Sequence, residues 1–197
     1  MKAGLKVVYS PGRLASQVAR LGRSISRDYA GRTVDVVIIL ENAFVFGADL
    51  VRRISRPVVC HFVRSELRDV KLGGYDRREV FFSHQPHLQG RDVLLVDALL
   101  HSGVTLDFLV KRLQEGRPRS LRVAVLVDKP QDRKVSLKPD YFGFAAASKY
   151  LAGYGLAGRR EWYRNLPYIG LLEDTQRPAA VAGKGARRSS RRARRVR

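Results

Sequence analysis

Apolar runs of strand length, alternating with amphipathic stretches of helix length, most limit what this chain can fold into. VDVVIIL (34–40), PVVCHFV (57–63), VLLVDA (93–98) and LRVAVLVD (121–128) read as buried strands. None approaches the 18 apolar residues of a membrane span. Ser10 and Pro11 suit an N-cap and a first helical position, and Leu14, Val18, Leu21 and Ile25 mark one face of a helix ending before Gly31. Ala43 to Ile54 and Thr105 to Gln114 read as two further helices, and VVY (7–9) as a short leading strand. Residues 64–90 form an excursion with a short strand near Val80 to Phe82. This alternation predicts an α/β fold with a parallel sheet and a site at the C-terminal strand ends.

A chain of 197 residues with 45% hydrophobic content suits one such domain with a full core. MKAGLKVVYS lacks the apolar block of a signal peptide, so a cytoplasmic protein with no membrane contact is expected. The lone cysteine, Cys60, lies among Val58, Val59 and Phe62 and is expected to be a buried strand thiol. Charge is uneven. Residues 179–197 hold seven arginines, one lysine and no acid, which is +8 of the formal +20. This segment cannot bury enough apolar surface to fold alone, so the domain is placed at 1–178 and a disordered basic tail at 179–197. Arg187, Arg188, Arg191, Arg192, Arg194 and Arg195 are its candidate contacts to RNA or another polyanion, through salt-sensitive counterion release.

VLLVDALLHSGVTL (93–106) carries the densest chemistry: a strand delivers Asp97, and Ser102, Gly103, Val104 and Thr105 open a helix. Small residues at a helix N-terminus can wrap a phosphate with backbone N–H groups. Together with RLASQVARLGRSISRDYAG, FGADLVRRI, GRDVLLVD, DKPQDRKVSLKPDYFGF and YRNLPYIGLL, in that order, the chain resembles the hypoxanthine-guanine phosphoribosyltransferase family over residues 5 to 173. The resemblance implies a type I phosphoribosyltransferase fold: a central, mostly parallel sheet flanked by helices, with a small hood. It also implies transfer of a phosphoribosyl group from phosphoribosyl pyrophosphate to a 6-oxopurine, with magnesium, in a homo-oligomer that a catalytic paralogue could join.

The resemblance assigns roles residue by residue. Lys129 matches the lysine that donates to the purine oxygen, Tyr150 the aromatic that stacks on the ring, and Leu151 the backbone that reads the base edge. Ser102, Gly103, Val104 and Thr105 match the 5′-phosphate loop, and Arg164 the arginine that contacts pyrophosphate. Other positions depart from the family. Its paired acids appear as Asp97 and Ala98, and the aspartate that takes the purine N7 proton appears as His101. Leu40-Glu41-Asn42 replaces Leu-Lys-Gly, where the missing glycine makes the family's cis peptide harder to form and Glu41 brings an acid near an expected anion. Ala157 stands where the family has a magnesium-binding aspartate, so no metal ligand is assigned. The mobile loop lacks its tyrosine at Arg64-Ser65-Glu66-Leu67.

Two other constellations fall away. His84 and His87 lack a third ligand, and Asp97, His101 and Ser102 lie too close in sequence for a hydrolase triad without a nucleophile elbow. Two functions follow. The first is a phosphoribosyltransferase-like protein that binds a purine nucleotide or phosphoribosyl ligand, with catalysis lost or impaired and a regulatory or RNA-associated role. The alternative is an active purine salvage enzyme that forms IMP or GMP with His101 as base.

Overall fold

The computed structural model describes residues 5–64, 68–72, 75–79, 86–147, 150–158 and 161–172. A five-stranded parallel sheet organises them, built from β2 (Val34–Leu40), β3 (Val58–Arg64), β6 (Asp92–Leu100), β7 (Ser120–Asp128) and β8 (Tyr141–Ala145). The strand order is β3-β2-β6-β7-β8.

Both faces of this sheet are covered, which explains why β2 is apolar almost throughout. Val36 and Ile38 pack with Leu94 and Val96 against α1 (Pro11–Asp28) and α2 (Phe44–Val51), through Leu14, Val18, Phe46 and Leu50. Val37 and Ile39 turn the other way and join Leu95, Val125, Leu106, Leu109 and Leu113, the last three from α3 (Val104–Gln114). Alternate side chains along a strand face opposite sides, so a doubly covered strand reads as a nearly continuous apolar run, broken in β2 by Asp35, which pairs with His61 and Arg91.

The expected caps and boundaries largely appear. Ser10 accepts from the Arg13 N–H at 3.4 Å, with Pro11 inside the first turn of α1. α2 stops at Val51, three residues before the expected end. There the Arg53 and Ile54 amides bond to Leu50 and Val51 carbonyls, three residues back, and close the last turn tightly. The excursion contains an antiparallel pair, β4 (Arg68–Leu72) and β5 (Tyr75–Glu79); the strand expected near Val80 to Phe82 lies outside the described residues. A small antiparallel hood sheet joins β1 (Lys6–Tyr9), β10 (Ile169–Leu171) and β9 (Leu151–Ala152).

The expectation for Cys60 fails. It is exposed, as are Val59 and Phe62, because β3 forms an edge of the sheet and of its seven residues only Val63 is buried. The apolar run of β3 resembles that of β2 without sharing its double cover. Among the described residues no helix is long and apolar enough to cross a membrane.

Candidate active site

The parallel strands end together, and a cavity of about 280 Å³ opens there. Its lining includes Leu40 at the end of β2 and Asn42 after it, Asp97 and Leu100 of β6, and His101, Ser102, Gly103 and Thr105. Residues from two distant segments thus meet where the topology predicts a site. Gly103 is the N-cap of α3 and adopts φ +80°, with no side-chain cap bond. The left-handed turn delivers the chain from β6 into α3, whose Val104 and Thr105 begin the helix. Ser102 is therefore not consumed in capping α3, and its loop remains available to an anion.

Asp97 and Ala98 face different surroundings. Asp97 lines the cavity and accepts its neighbour Ala98's N–H at 2.7 Å. Burial pushes its carboxyl up to about 6, against the opposing effect of the Ala98 and Leu99 amides. Ala98 is fully buried in the core shared with α1 and α2. An aspartate at 98 would place its carboxylate against apolar side chains.

A second loop is bound to the first. Residues after β7 form a short 3₁₀ turn, Pro130–Asp132, which folds the chain back. The Lys134 N–H donates to the Ser102 carbonyl at 2.9 Å, the Lys129 N–H to the Leu100 carbonyl at 2.9 Å, and the Arg133 guanidinium to the His101 carbonyl at 3.3 Å. Arg133 also pairs with Asp128, both largely buried. Within this clamp His101 Nε2 lies 3.0 Å from Asp132 Oδ2, with the imidazole 56% exposed and the carboxylate 16% exposed. Sequence reasoning missed Asp132, Arg133 and Asp128. The one local signal was Pro130, whose fixed φ starts the turn that returns Asp132 to His101.

The expected base-reading residues separate by exposure. Lys129 is only 5% exposed, and desolvation lowers its ammonium below the usual lysine range, partly offset by Asp132. It is no solvated loop lysine. Tyr150 is 47% exposed, so it is not a core aromatic either. Leu151 is buried in β9, opposite Leu171. None of these three lines the cavity described above.

On the opposite wall, the Leu40–Glu41 peptide is cis although no glycine follows it. Glu41 does not confront the cavity as a lone acid, since it pairs with Arg64 at 3.1 Å and Arg164 at 3.5 Å. Arg164 also pairs with Glu161 and donates to Asn42 Oδ1 and the Gly155 carbonyl, each at 2.7 Å. Gly155, at φ +94°, lies so close that a Cβ would sit 2.6 Å from the Asn42 carbonyl oxygen. Among the described residues no cluster of three His, Cys, Asp or Glu side chains is placed to hold a metal ion. His84, residues 65–67 and the tail arginines lie outside the described residues.

This doubly covered parallel sheet, with its hood and strand-end cavity, defines a type I phosphoribosyltransferase fold, and residues 8–156 match the phosphoribosyl transferase domain model. The hypoxanthine-guanine phosphoribosyltransferase of Lactococcus lactis is 33% identical over 174 residues, covering 87% of this chain and 93% of the relative. That of Bacillus subtilis is 30% identical, covering 85% and 93%. A crystal structure of a hypoxanthine-guanine phosphoribosyltransferase from Bacillus anthracis superposes with a TM-score of 0.78 at 32% identity, covering 86% of this chain and 99% of that one. The bifunctional protein TilS/HprT of Listeria innocua is 34% identical over 168 residues, and the match spans 26% of its length. The chain belongs to the hypoxanthine-guanine phosphoribosyltransferase family.

Proposed function

We propose that this chain is an active purine phosphoribosyltransferase, which reverses the order of the two functions expected from its sequence. The relatives are named for the enzyme, and nothing among them supports a purely regulatory role. The observation that carries the reading is the shared cavity: Asp97, His101, Ser102, Gly103 and Thr105 line one space at the strand ends.

In this reading the 102–105 loop holds the 5′-phosphate, Asp97 meets the ribose hydroxyls, and Lys129 and Tyr150 hold a 6-oxopurine, with the Leu151 backbone at the base edge. Arg164 supports the pyrophosphate wall. The purine N9 forms a bond to C1′ of phosphoribosyl pyrophosphate as the C1′–oxygen bond breaks. The bonding pair leaves with pyrophosphate, and the N7 proton passes to His101. Such a base contributes roughly 10²–10⁴ in rate.

Magnesium belongs to the family's chemistry, but the residues present do not fit a protein-held ion. Among the described residues Asp97 is the one carboxylate lining the cavity, and a single carboxylate leaves most positions of an octahedral ion to water and substrate. Magnesium is expected to arrive on the polyphosphate oxygens of the substrate, and no step is assigned to it.

The deciding experiment is a transferase assay of the purified full chain with phosphoribosyl pyrophosphate, magnesium, and hypoxanthine, guanine or xanthine. Formation of IMP or GMP is expected, with loss on His101→Ala. Absence of turnover by folded protein that still binds GMP would restore the binding-only reading.

A further inference from the structure

We propose that Asp132 is a positioning residue that pairs with His101 to make a histidine–carboxylate base, favouring one ring tautomer and bringing a carboxylate beside the base. The inference rests on the assignment of His101 as base, and adds a residue that the sequence resemblance did not supply.

Tautomer comes first. An ionised carboxylate only accepts hydrogen bonds, so Asp132 Oδ2, 3.0 Å from His101 Nε2, favours the neutral ring form with its proton on that nitrogen. Nδ1 then carries the lone pair. An isolated exposed imidazole divides its time between tautomers, whereas a carboxylate beside Nε2 biases this one toward Nδ1 as the basic nitrogen. The backbone holds Asp132 in place: its N–H bonds to the Lys129 carbonyl at 3.2 Å, and the Lys134–Ser102 and Arg133–His101 bonds fasten its turn to the histidine's own loop.

Charge is the second argument. A neutral imidazole alone brings no negative charge to a developing cationic sugar. A neutral imidazole paired with a carboxylate brings one, and becomes neutral overall when Nδ1 takes the proton. That is the same change, from −1 to 0, that a single aspartate base undergoes. Among the described residues, Asp128, Lys129 and Arg133 are the charged groups tied to this turn and its loop. Asp128 is committed to Arg133, and Lys129 lies within electrostatic reach of Asp132.

Two measurements on the full chain separate this inference from the reading beneath it. Long-range ¹⁵N imidazole spectra of the His101 ring should show the Nε2–H tautomer in the unsubstituted protein and a mixture in Asp132→Asn, with Asp132→Glu recovering part of the preference. This readout does not depend on turnover. Kinetically, Asp132→Asn should lower kcat about tenfold or more and change KM for hypoxanthine less than twofold. In a His101→Asp background, Asp132→Asn should cost nothing or raise kcat, since two facing carboxylates oppose each other. Unchanged tautomers, or the same kcat loss in both backgrounds, would overturn the role of Asp132. Undiminished turnover in His101→Ala would instead overturn the base assignment itself.

Discussion

Arg164 donates to the side-chain oxygen of Asn42 at 2.7 Å, joining segments 122 residues apart and fixing the wall of the cavity that follows β2. Its bond to the Gly155 carbonyl and its pairings with Glu41 and Glu161 make it the common partner of four groups. Arg164→Ala is expected to lower stability by roughly 1–3 kcal/mol by urea denaturation, since charged hydrogen bonds to Asn42 and Gly155 and the pairing with Glu41 are lost. KM for phosphoribosyl pyrophosphate should rise with it. Arg164→Lys should recover only part of both, because an ammonium cannot reproduce the guanidinium fork.

The raised Asp97 carboxyl makes a pH-dependent stability prediction. Below its ordinary value of 3.8 the group is protonated in both folded and unfolded chains. Between 3.8 and about 6 the folded chain keeps a proton that the unfolded chain has released, so stability falls as pH rises. Above that window the cost is complete, at about 3 kcal/mol or less. Asp97→Asn should therefore be more stable than the unsubstituted chain at pH 7.5, with the gain largely gone at pH 4, while transferase activity drops. Equal denaturation midpoints at pH 7.5 would contradict the assignment.

Gly103→Ala meets two obstacles. Its φ of +80° disfavours an L side chain, and the new Cβ would sit 2.8 Å from a Val135 methyl carbon. A loss of roughly 1–3 kcal/mol is expected, together with weaker GMP binding. Adding Val135→Ala should relieve the contact but not the backbone, so calorimetry on the double variant should show only partial recovery.

Much of the fold was legible because its signals are local and repeated. The apolar runs of β2, β6 and β7 and the Ser10–Pro11 start of α1 need no knowledge of distant residues. Cys60 was misplaced because period and composition cannot tell a central strand from an edge strand; that depends on which elements cover it. In the site, Asp97, His101 and the 102–105 loop were visible as one contiguous stretch. Asp132 was not, because its meaning comes from a turn that brings it back across the sheet end. Glu41 looked like an obstacle until Arg64 and Arg164 were placed beside it.

Lys129 is buried, lowered in pKa by desolvation and tied by its backbone to Leu100, a setting suited to donating to a carbonyl oxygen. GMP and IMP should bind more tightly than AMP, and Lys129→Ala should erase that preference in calorimetric titrations. Equal affinity for all three nucleotides before and after substitution would remove Lys129 and Tyr150 from base recognition.

The basic segment 184–197 is expected to bind polyanions independently of the cavity. Eight cationic side chains give a log–log salt slope of up to about −0.7 per phosphate contacted on a single strand. Truncation after Ala182 should weaken RNA binding and flatten that slope while leaving GMP affinity unchanged. An unchanged slope would assign the contact to the body of the protein.

The hydrogen bonds from Lys134 to Ser102 and from Lys129 to Leu100 also set a length. They are main-chain bonds, so the separation between the backbone of the helix-capping loop and that of Lys129 does not depend on which rotamers the side chains choose. The two loops act as the jaws of a calliper with its screw tightened. A molecule that bridges both jaws is measured end to end, and one that reaches only a single jaw forgoes half of its contacts.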